Sequence, residues 1–378
     1  MMYELIATTT FGIEAIAKRE LVNLGFEILR TENGKVTFFS DINGIAKANL
    51  WLRSVDRVLL KVAEFKAITF DQLFDQTIQI PWEEYLPEDA NFPVNGSSVK
   101  STLFSISDCQ ALVKKAIVER LKQQYHVAWF PETGSEYIVK VSMLNDIATI
   151  TLDTSGVALH KRGYRQNAVT APLKETLAAS MIMLSYWNKD RVLFDPFCGS
   201  GTIPIEAAMI AKNIAPGLYR DFASKHWSWI SEEVWKSEVK NAFQAIDHES
   251  NIKIYASDID ASSIEAAKEN AEEAGVIDCI EFQVSDFKSV NYDIPYAVLI
   301  TNPPYGDRLT EENYHINQLY QDLGKLVSSL PTWSVYVITS NTDLPNLIKR
   351  KLDRERKLYN GNIETHYFQY YGPKPPLK

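Results

Sequence analysis

The sequence predicts an α/β protein whose residues 172–378 fold as a mostly parallel, doubly wound sheet, preceded by two smaller α+β units. Three observations predict this fold class. After Pro172, short apolar runs alternate with helical stretches, which is typical of such a sheet. Before it, strand and helix signals alternate in two shorter blocks. At 378 residues the chain is also too long for one ordinary domain.

The first unit, residues 1–65, has the predicted order β-α-β-α-β. Its strands are "YELIAT", "KVTFFS" and "RVLLKVAEF". The first helix, "GIEAIAKRELVNLGF", places apolar residues on one face, and Gly25 follows its end. The second helix, "DINGIAKANLWL", begins after Asp41, which is a favourable N-cap residue. This order predicts a small α+β unit.

The second unit, residues 66–155, contains a long predicted helix, "SISDCQALVKKAIVERLKQQY", with Ser107 or Asp108 as its cap. The stretch "SSVKSTLF" before it is predicted as a strand. After the helix, "YIVKVSML" and "IATITLDTS" are predicted to form a hairpin. Residues 156–171 are polar and contain glycine, so we interpret them as a linker.

The third unit, residues 172–378, contains five short apolar strands. They are "RVLFD", "IKIYASD", "IEFQVSD", "YAVLITN" and "WSVYVITSN". The helical stretches between them include "TIPIEAAMIAKN", "ASSIEAAKENAEEAG" and "INQLYQDLGKLVSSL". The closing stretch, "ETHYFQYYG", alternates in the manner of a strand and is predicted as a final edge strand.

The composition excludes several classes of protein. No apolar stretch approaches the roughly 20 residues that span a bilayer, and the start lacks the features of a signal peptide, so a cytoplasmic protein without a membrane partner is expected. Three widely spaced cysteines predict neither a disulfide framework nor a metal site. The net charge of −9 argues against simple electrostatic binding of nucleic acid.

The charge is unevenly distributed along the chain. Residues 1–165 carry 18 Lys and Arg against 20 Asp and Glu, and the remaining residues carry 21 against 28. A nucleic-acid partner is therefore expected to dock on the first part, or on local basic patches. Two such patches are "HKRGYR" (160–165) and "KRKLDRERK" (349–357).

Polar residues follow the predicted parallel strands, where open α/β sheets bind ligands. In "FDPFCGSGT" Asp195 ends a strand, Gly199 and Gly201 permit a tight turn, and a helix opens at Thr202. This turn lacks the Lys-Ser/Thr pair of a phosphate-binding P-loop and the glycine spacing of a dinucleotide fingerprint. The turn is therefore predicted to approach another kind of ligand.

Two further acids end the next two strands. Asp258 in "ASDID" is well placed to accept two hydrogen bonds from ribose hydroxyls. Asp286 in "VSDF" can accept a bond from an exocyclic amine such as that of adenine, and Phe287 offers apolar contact. Each acid alone is more often a helix cap or a surface group. Together, on successive strands, they outline a nucleoside-shaped pocket.

The fourth strand ends in "ITNPPYGDR", where consecutive prolines Pro303 and Pro304 stiffen the loop. The side-chain carbonyl of Asn302 and a proline backbone carbonyl are two acceptors at a fixed spacing, which suits a planar NH2 group. Tyr305 can stack on the ring that bears this group. The loop therefore predicts a site for an amino group on a planar system.

These motifs resemble those of class I S-adenosylmethionine-dependent methyltransferases that act on amino nitrogens, which have a Rossmann-like fold. The strings "GYRQNAVTAPLKETLAASMI", "DPFCGSGTIPIEAAMIAKNIAPGL" and "SDIDASSIEAAKENAEEAG" are similar to THUMP-domain methyltransferases, and most of all to bacterial 23S rRNA guanine-N2 methyltransferases. Residues 66–155 resemble a THUMP RNA-binding domain, and residues 1–65 resemble the ferredoxin-like unit that precedes it. Residues 213–250 form a longer connection than a minimal one.

The resemblance implies a role for each motif residue. It implies that Asp195 binds the amino end of S-adenosylmethionine, Asp258 its ribose and Asp286 its adenine amine. The cofactor-binding residues implied in full are Pro172, Leu173, Lys174, Asp195, Pro196, Phe197, Cys198, Gly199, Ser200, Gly201, Asp258, Ile259, Asp286, Phe287 and Asn302. The catalytic residues implied are Asn302, Pro303, Pro304 and Tyr305, which would hold the target guanine.

The resemblance implies transfer of a methyl group to the N2 amine of a guanine in RNA, with S-adenosyl-L-homocysteine as product. Large-subunit rRNA or a ribosome assembly intermediate is the implied partner. A paired base cannot reach such a pocket, so the target must be unpaired or flipped out. Other planar amines fit the same loop: tRNA guanine-N2, adenine-N6 and a protein glutamine. A non-catalytic RNA-binding protein with a vestigial methyltransferase fold is the alternative from another class.

Overall fold

The computed structural model describes residues 1–165, 173–305 and 312–376. The chain divides into two compact units. The first contains Met1–Thr9, Ala17–Leu159 and Arg220–Asn241, and the second contains Thr10–Ile16, His160–Tyr219 and Ala242–Lys378. None of the helices within the described ranges is long and apolar enough to cross a membrane.

The first unit is built on one mixed sheet of seven strands. They are β1 (Tyr3–Thr8), β2 (Glu27–Glu32), β3 (Lys35–Ser40), β4 (Arg57–Lys66), β5 (Val94–Val99), β6 (Val139–Leu144) and β7 (Ile147–Asp153). Their order across the sheet is β2-β3-β1-β4-β7-β6-β5. The sheet is continuous because β4 pairs antiparallel with β7 over most of its length. The two α+β units predicted at 1–65 and 66–155 therefore share one sheet.

Helices of this unit pack against the sheet through a common apolar core. They are α1 (Glu14–Asn23), α2 (Ile42–Trp51), α3 (Phe70–Ile78) and α4 (Ile106–Tyr125). Asp41 caps α2 as predicted, because its carboxylate accepts a hydrogen bond from the Gly44 amide. The predicted cap of α4 was wrong: Ser105 occupies the N-cap position, ahead of Ser107 and Asp108, and makes no side-chain cap bond.

Among the described residues of the second unit, seven strands form one sheet, and five of them are parallel. They are β8 (Leu193–Asp195), β9 (Ile254–Asp258), β10 (Ile280–Val284), β11 (Val298–Thr301), β12 (Ser334–Thr339), β13 (Arg354–Asn360) and β14 (Ile363–Tyr370). Their order is β10-β9-β8-β11-β12-β14-β13, and the last two run antiparallel to their neighbours. The order reverses between β8 and β11, which is where such sheets form a ligand crevice.

Helices cover both faces of this sheet, as the apolar runs predicted. They are α5 (Glu175–Leu184), α6 (Thr202–Ala211), α8 (Ala261–Glu273), α9 (Glu312–Ser329) and α10 (Leu344–Leu347), while α7 (Glu232–Gln244) lies mostly in the first unit. Successive residues of β11 alternate between two apolar clusters: Val298 and Ile300 belong to one, and Leu299 belongs to the other. This alternation explains why the strand is apolar throughout.

One prediction for the second unit was wrong. The stretch "ETHYFQYYG" forms β14, which is an interior strand, and the edge strand is β13. Within the predicted basic patch "HKRGYR", Arg162 and Tyr164 are buried, whereas Lys161 is exposed. The Arg162 guanidinium lies 3.3 Å from the Glu206 carboxylate, and both side chains are almost fully buried. This arginine is therefore paired with an acid in the protein interior and is not exposed for contact with a partner.

The segment Arg220–Asn241 belongs to the first compact unit. It lies within residues 172–378, which were predicted as one domain. Its attachment is aromatic. The buried Trp227 ring stacks on Tyr137 with centroids 5.1 Å apart, and its Nε1 donates to the Glu136 carbonyl (3.0 Å). The Ser228 amide donates to the Tyr137 hydroxyl (3.0 Å).

We expect Trp227→Ala to lower the free energy of unfolding of the first unit by about 3–5 kcal/mol, because it removes a large buried ring and leaves a cavity. Urea denaturation followed by far-ultraviolet circular dichroism measures this loss. Trp129→Ala is the matched control, since that tryptophan is 74% exposed in the same unit and its removal should cost less than about 0.5 kcal/mol. Equal losses for the two variants would contradict the packing role of Trp227.

Candidate active site

A cleft of about 340 Å³ opens in the second unit beyond the carboxyl ends of β8, β9 and β11. Ten of the predicted site residues line it: Leu173, Asp195, Phe197, Cys198, Gly199, Ser200, Asp258, Ile259, Asn302 and Pro304. Its volume falls within the usual range for small-molecule sites. Three of the four strand ends that were singled out in the sequence, those at Asp195, Asp258 and Asn302, are therefore brought together around one cavity.

The loop after β8 is a tight turn that starts α6. The Cys198 amide donates to the Ser257 carbonyl (3.0 Å) and the Gly201 amide to the Cys198 carbonyl (2.8 Å). Gly201 has φ +81°, and a Cβ there would lie 3.1 Å from the Cβ of Ala267 in α8. Glycine at this position therefore permits both the left-handed backbone and the close packing of α6.

The carboxylate of Asp258 is held at the end of β9 by two backbone amides. The Gly199 amide donates to its Oδ2 (2.9 Å) and the Asp260 amide donates to its Oδ1 (3.0 Å). Each carboxylate oxygen retains a further lone pair for a ligand hydroxyl. The neighbouring Ile259 also lines the cleft and is 74% exposed, so it offers an apolar surface at the cleft wall.

The carboxyl group of Asp195 is buried, and only one of its two oxygens accepts hydrogen bonds from the described residues. Its Oδ1 accepts bonds from the Thr301 hydroxyl (2.7 Å) and the Phe197 amide (3.3 Å). Its Oδ2 has no hydrogen-bond partner among the described residues. Burial raises the pKa of this carboxyl to about 7; the two hydrogen bonds act in the opposite direction, and the charge of Asp258 adds to the rise. A cationic donor at Oδ2 would satisfy the free acceptor and stabilise the ionised form.

The loop after β11 is fixed by two tyrosines. The Tyr305 hydroxyl donates to Asn302 Oδ1 (2.5 Å), which sets the direction in which the amide oxygen points. Tyr320, on α9, is fully buried; its hydroxyl donates to the Pro304 carbonyl (3.1 Å) and shares a hydrogen bond with the Thr339 hydroxyl at the end of β12 (2.5 Å). The loop is thus anchored to both a helix and a neighbouring strand.

Several predicted site residues do not line the cleft in the part of the chain that the structure describes: Lys174, Pro196, Gly201, Asp286, Phe287, Pro303 and Tyr305. Phe287 lies close to it, with its ring centroid 4.8 Å from that of Phe197. The Asp286 carboxylate instead accepts from the Lys288 amide (2.9 Å) and lies 3.3 Å from the Lys288 ammonium. Pro172 lies outside the described residues. The individual roles of all these residues remain predictions.

The sequence did not single out every residue of the cleft. Thr202, Ile203 and Leu319 line it, and Thr301 and Tyr320 support it through hydrogen bonds. Thr202 and Ile203 follow the glycine turn directly, so their position beside the motif was a usable signal. Leu319 and Tyr320 come from the middle of α9, where no local pattern distinguishes a cleft residue from a core residue.

Three segments of the chain match known families. Residues 4–59 match the RlmL ferredoxin-like domain, residues 67–153 match the THUMP domain, and residues 162–369 match the RMKL-like, methyltransferase domain. The protein of Bacillus subtilis (strain 168) named "Putative RNA methyltransferase YpsC" is 49% identical to this chain over 378 residues, which cover 100% of the chain and 98% of that protein.

A second relative is longer than this chain. The protein of Shewanella baltica (strain OS155) named "Ribosomal RNA large subunit methyltransferase K/L" is 33% identical over 379 residues. The match covers 98% of the chain and 53% of that protein. The chain therefore spans about half the length of this relative.

Two solved structures have the same fold over almost the whole chain. One is described as a "predicted N6-adenine-specific DNA methylase" from Listeria monocytogenes; it is 47% identical, has a TM-score of 0.93, and the match covers 99% of this chain and 97% of that one. The other, SMU.472, is described as a "putative methyltransferase complexed with SAH" and is 41% identical. Its TM-score is also 0.93, and the match covers 99% of both chains.

The sheet order and the strand-end cleft define the second unit as a class I methyltransferase fold. The chain belongs to the RMKL-like methyltransferases, which use S-adenosylmethionine, and it carries a ferredoxin-like and a THUMP domain in its first part. The cleft fits this cofactor. The unpartnered oxygen of Asp195 suits the ammonium of its methionine part, and the carboxylate of Asp258 suits ribose hydroxyls.

We expect the affinity for S-adenosylmethionine to weaken as the pH falls below 7. Protonation of Asp195, whose pKa is raised to about 7, removes the negative charge that would bind the ammonium, so Kd should rise about tenfold for each pH unit below 7. Calorimetric titration between pH 7.5 and 5.5 measures this dependence.

Two variants control the pH measurement. Asp195→Asn should bind more weakly and lose the pH dependence, because no ionisable group remains at that position. Asp286→Asn should retain the dependence, since Asp286 does not line the cleft. A Kd of the wild-type protein that stays constant over this pH range would exclude Asp195 as the ammonium ligand.

Proposed function

We propose that the protein transfers a methyl group from S-adenosylmethionine to the exocyclic N2 amine of a guanine in RNA, and that large-subunit ribosomal RNA is the substrate. The observation that carries the proposal is the position of Asn302. It follows β11 directly and lines the same cleft as Asp195, Gly199 and Asp258. An acceptor for a planar amine therefore adjoins the pocket that fits the methyl donor.

RNA is the proposed substrate because of the first unit and the relatives. Residues 67–153 match the THUMP domain, and relatives that match nearly the whole chain are named as RNA and ribosomal RNA methyltransferases. The choice of the guanine N2 amine as the methylated group rests on the resemblance of the motifs to those of guanine-N2 methyltransferases. Adenine-N6 is the second candidate, because a structure that is 47% identical is described as an N6-adenine-specific DNA methylase and the Asn302 loop suits either amine.

The side chain and backbone of the loop supply the chemistry that the protein must contribute. The cofactor supplies a methyl group on a positively charged sulfur, so a weakly nucleophilic amine needs orientation rather than a strong base. Asn302 Oδ1 can accept one N–H of that amine while it also accepts from Tyr305, because a carbonyl oxygen has two lone pairs. Accepting both N–H groups favours the positive charge that builds on the nitrogen.

The second acceptor is the Pro303 carbonyl in this proposal. The Pro304 carbonyl accepts from the buried Tyr320 hydroxyl, so it is directed toward α9. Pro303 does not line the cleft that fits the cofactor, so the proposal places the target amine beside that cleft rather than inside it. The two acceptors, Asn302 Oδ1 and the Pro303 oxygen, are then held by consecutive residues of one anchored loop. Such fixed geometry reduces the entropy that must be lost when the amine is aligned. The proton leaves after methyl transfer, to solvent or a nearby acceptor.

The proposal is tested by incubating the protein with S-adenosylmethionine and ribosomal RNA, transfer RNA or DNA, followed by mass spectrometry of the nucleosides. We expect N2-methylguanosine in ribosomal RNA. We expect Asn302→Ala to lower its formation by at least about 100-fold, because an amine acceptor is lost, while calorimetry finds S-adenosylmethionine still bound. N6-methyladenosine as the product would favour the second candidate, and near-normal turnover of Asn302→Ala would refute the role of the loop.

We expect Tyr320→Phe to lower kcat about tenfold to 100-fold, because the Pro304 carbonyl loses its anchor and the amine is misaligned. The KM for S-adenosylmethionine should stay unchanged, since Tyr320 does not line the cleft. Tyr367→Phe is the matched control: it removes another buried hydroxyl of the same unit, which donates to the Met181 carbonyl (2.9 Å). Equal losses of kcat in the two variants would mean that general destabilisation, and not the loop, is the cause.

A further inference from the structure

One face of the sheet in the first unit packs against the helices, and a cavity of about 480 Å³ lies on its other face. Side chains alternate between the two faces of a strand. In β7, Ala148, Ile150 and Leu152 belong to the apolar core that includes α1 to α4. The intervening residues, Thr149, Thr151 and Asp153, line the cavity instead. The cavity therefore lies on the face opposite the helices.

The cavity walls contain several cationic and hydroxyl-bearing side chains. Three cationic residues line it, and they are Lys35, Arg57 and Lys140; Asp153 is the one acid among the sixteen lining residues. By contrast, residues 1–165 as a whole carry nearly balanced charge, with 18 basic and 20 acidic side chains. The excess positive charge at the cavity is therefore local and does not reflect the composition of this part of the chain.

A buried carboxylate organises two of these cations. Asp153 is fully buried, and its Oδ2 lies 2.5 Å from Arg57 Nη1 and 3.1 Å from Lys140 Nζ. Its Oδ1 accepts from the backbone amides of Ser155 (3.1 Å) and Gly156 (3.3 Å). One negative charge is thus shared by two positive ones, so the group as a whole attracts a further anion. Burial also lowers the pKa of Lys140. A bound anion would raise this pKa again, because a nearby negative charge favours the protonated ammonium.

Polar side chains form two rows across the neighbouring strands. Thr151, Lys140 and Asn95 are register partners across β7, β6 and β5. Thr149, Ser142 and Ser97 form the next row, in which the Ser97 hydroxyl donates to the Ser142 hydroxyl (3.2 Å). Hydroxyl and amide groups both donate and accept hydrogen bonds, which suits the phosphate oxygens and 2′-hydroxyls of RNA.

We propose that this cavity binds the sugar-phosphate backbone of the RNA substrate, with Lys35, Arg57 and Lys140 contacting phosphates. The inference rests on the proposed function, because it assigns a second contact surface for the same RNA. It assigns the binding to the helix-free face of the first unit rather than to the basic patch "HKRGYR", in which Arg162 is buried against Glu206. A charged backbone contact of this kind binds RNA without reading its sequence.

The test is the salt dependence of binding of the full-length protein to a fluorescently labelled single-stranded oligouridylate, measured by fluorescence anisotropy. Each lost phosphate contact lowers the slope of log K against log salt by about 0.7 for a single strand. We expect this decrease for Lys140→Gln and for Lys35→Gln. Lys35 does not contact Asp153, and its closest acid is Glu32 at 3.5 Å, so Lys35→Gln leaves the Asp153 group intact.

Lys236→Gln is the matched control, because Lys236 is a lysine of the same unit on α7 that pairs with Glu232 and does not line the cavity. Its slope should equal that of the wild type. If Lys35→Gln and Lys140→Gln also keep the wild-type slope while the wild-type protein binds and methylates RNA, the cavity proposal is overturned and the proposed function stands. If the wild-type protein neither binds nor methylates RNA, both proposals are overturned.

Discussion

The hydrogen bond from the Thr301 hydroxyl to Asp195 Oδ1 joins the ends of two neighbouring strands, β8 and β11, at the point where the sheet order reverses. Both loops that form the cleft begin at this joint: the glycine turn follows Asp195, and the amide loop follows Thr301. The same bond satisfies one oxygen of a buried carboxyl group, while the other oxygen has no hydrogen-bond partner in the part of the chain that the structure describes. The position of the cleft and the orientation of the Asp195 carboxyl group thus have one structural origin.

Most interior strands were predictable from the sequence, and the two strands that the prediction missed, β2 and β13, lie at edges of the two sheets. Strands β8, β11 and β12 are buried along their whole length and rich in apolar residues, which made them recognisable in the sequence. The strand β2, "EILRTE", and the strand β13, "RERKLYN", end their sheets and carry many charges, as edge strands do. The predicted strand "SSVKSTLF" overlaps only the end of β5, which is also an edge strand.

The residues of the candidate site that directly follow a strand were predictable from the sequence. Asp195, Gly199, Asp258 and Asn302 follow apolar runs, so their convergence follows from the geometry of a parallel sheet. Supporting contacts are different, because each joins residues far apart in the chain. Arg162 pairs with Glu206 across 44 positions, and no local pattern distinguishes it from an exposed arginine. The anchoring of Pro304 by Tyr320 likewise depends on how α9 packs, which its periodicity does not specify.

The return of residues 220–241 to the first unit has a consequence for synthesis on the ribosome. The stretch 1–159 is translated first, yet Tyr137 receives its partner Trp227 only after α5, β8 and α6 of the second unit have been made. At about 5–20 residues per second, the interval from residue 159 to residue 241 is about 4–16 seconds. During that time the nascent first unit exposes the aromatic surface that Trp227 later covers. A domain at the start of the chain therefore completes its core late, and the folding of the two units is interleaved in time.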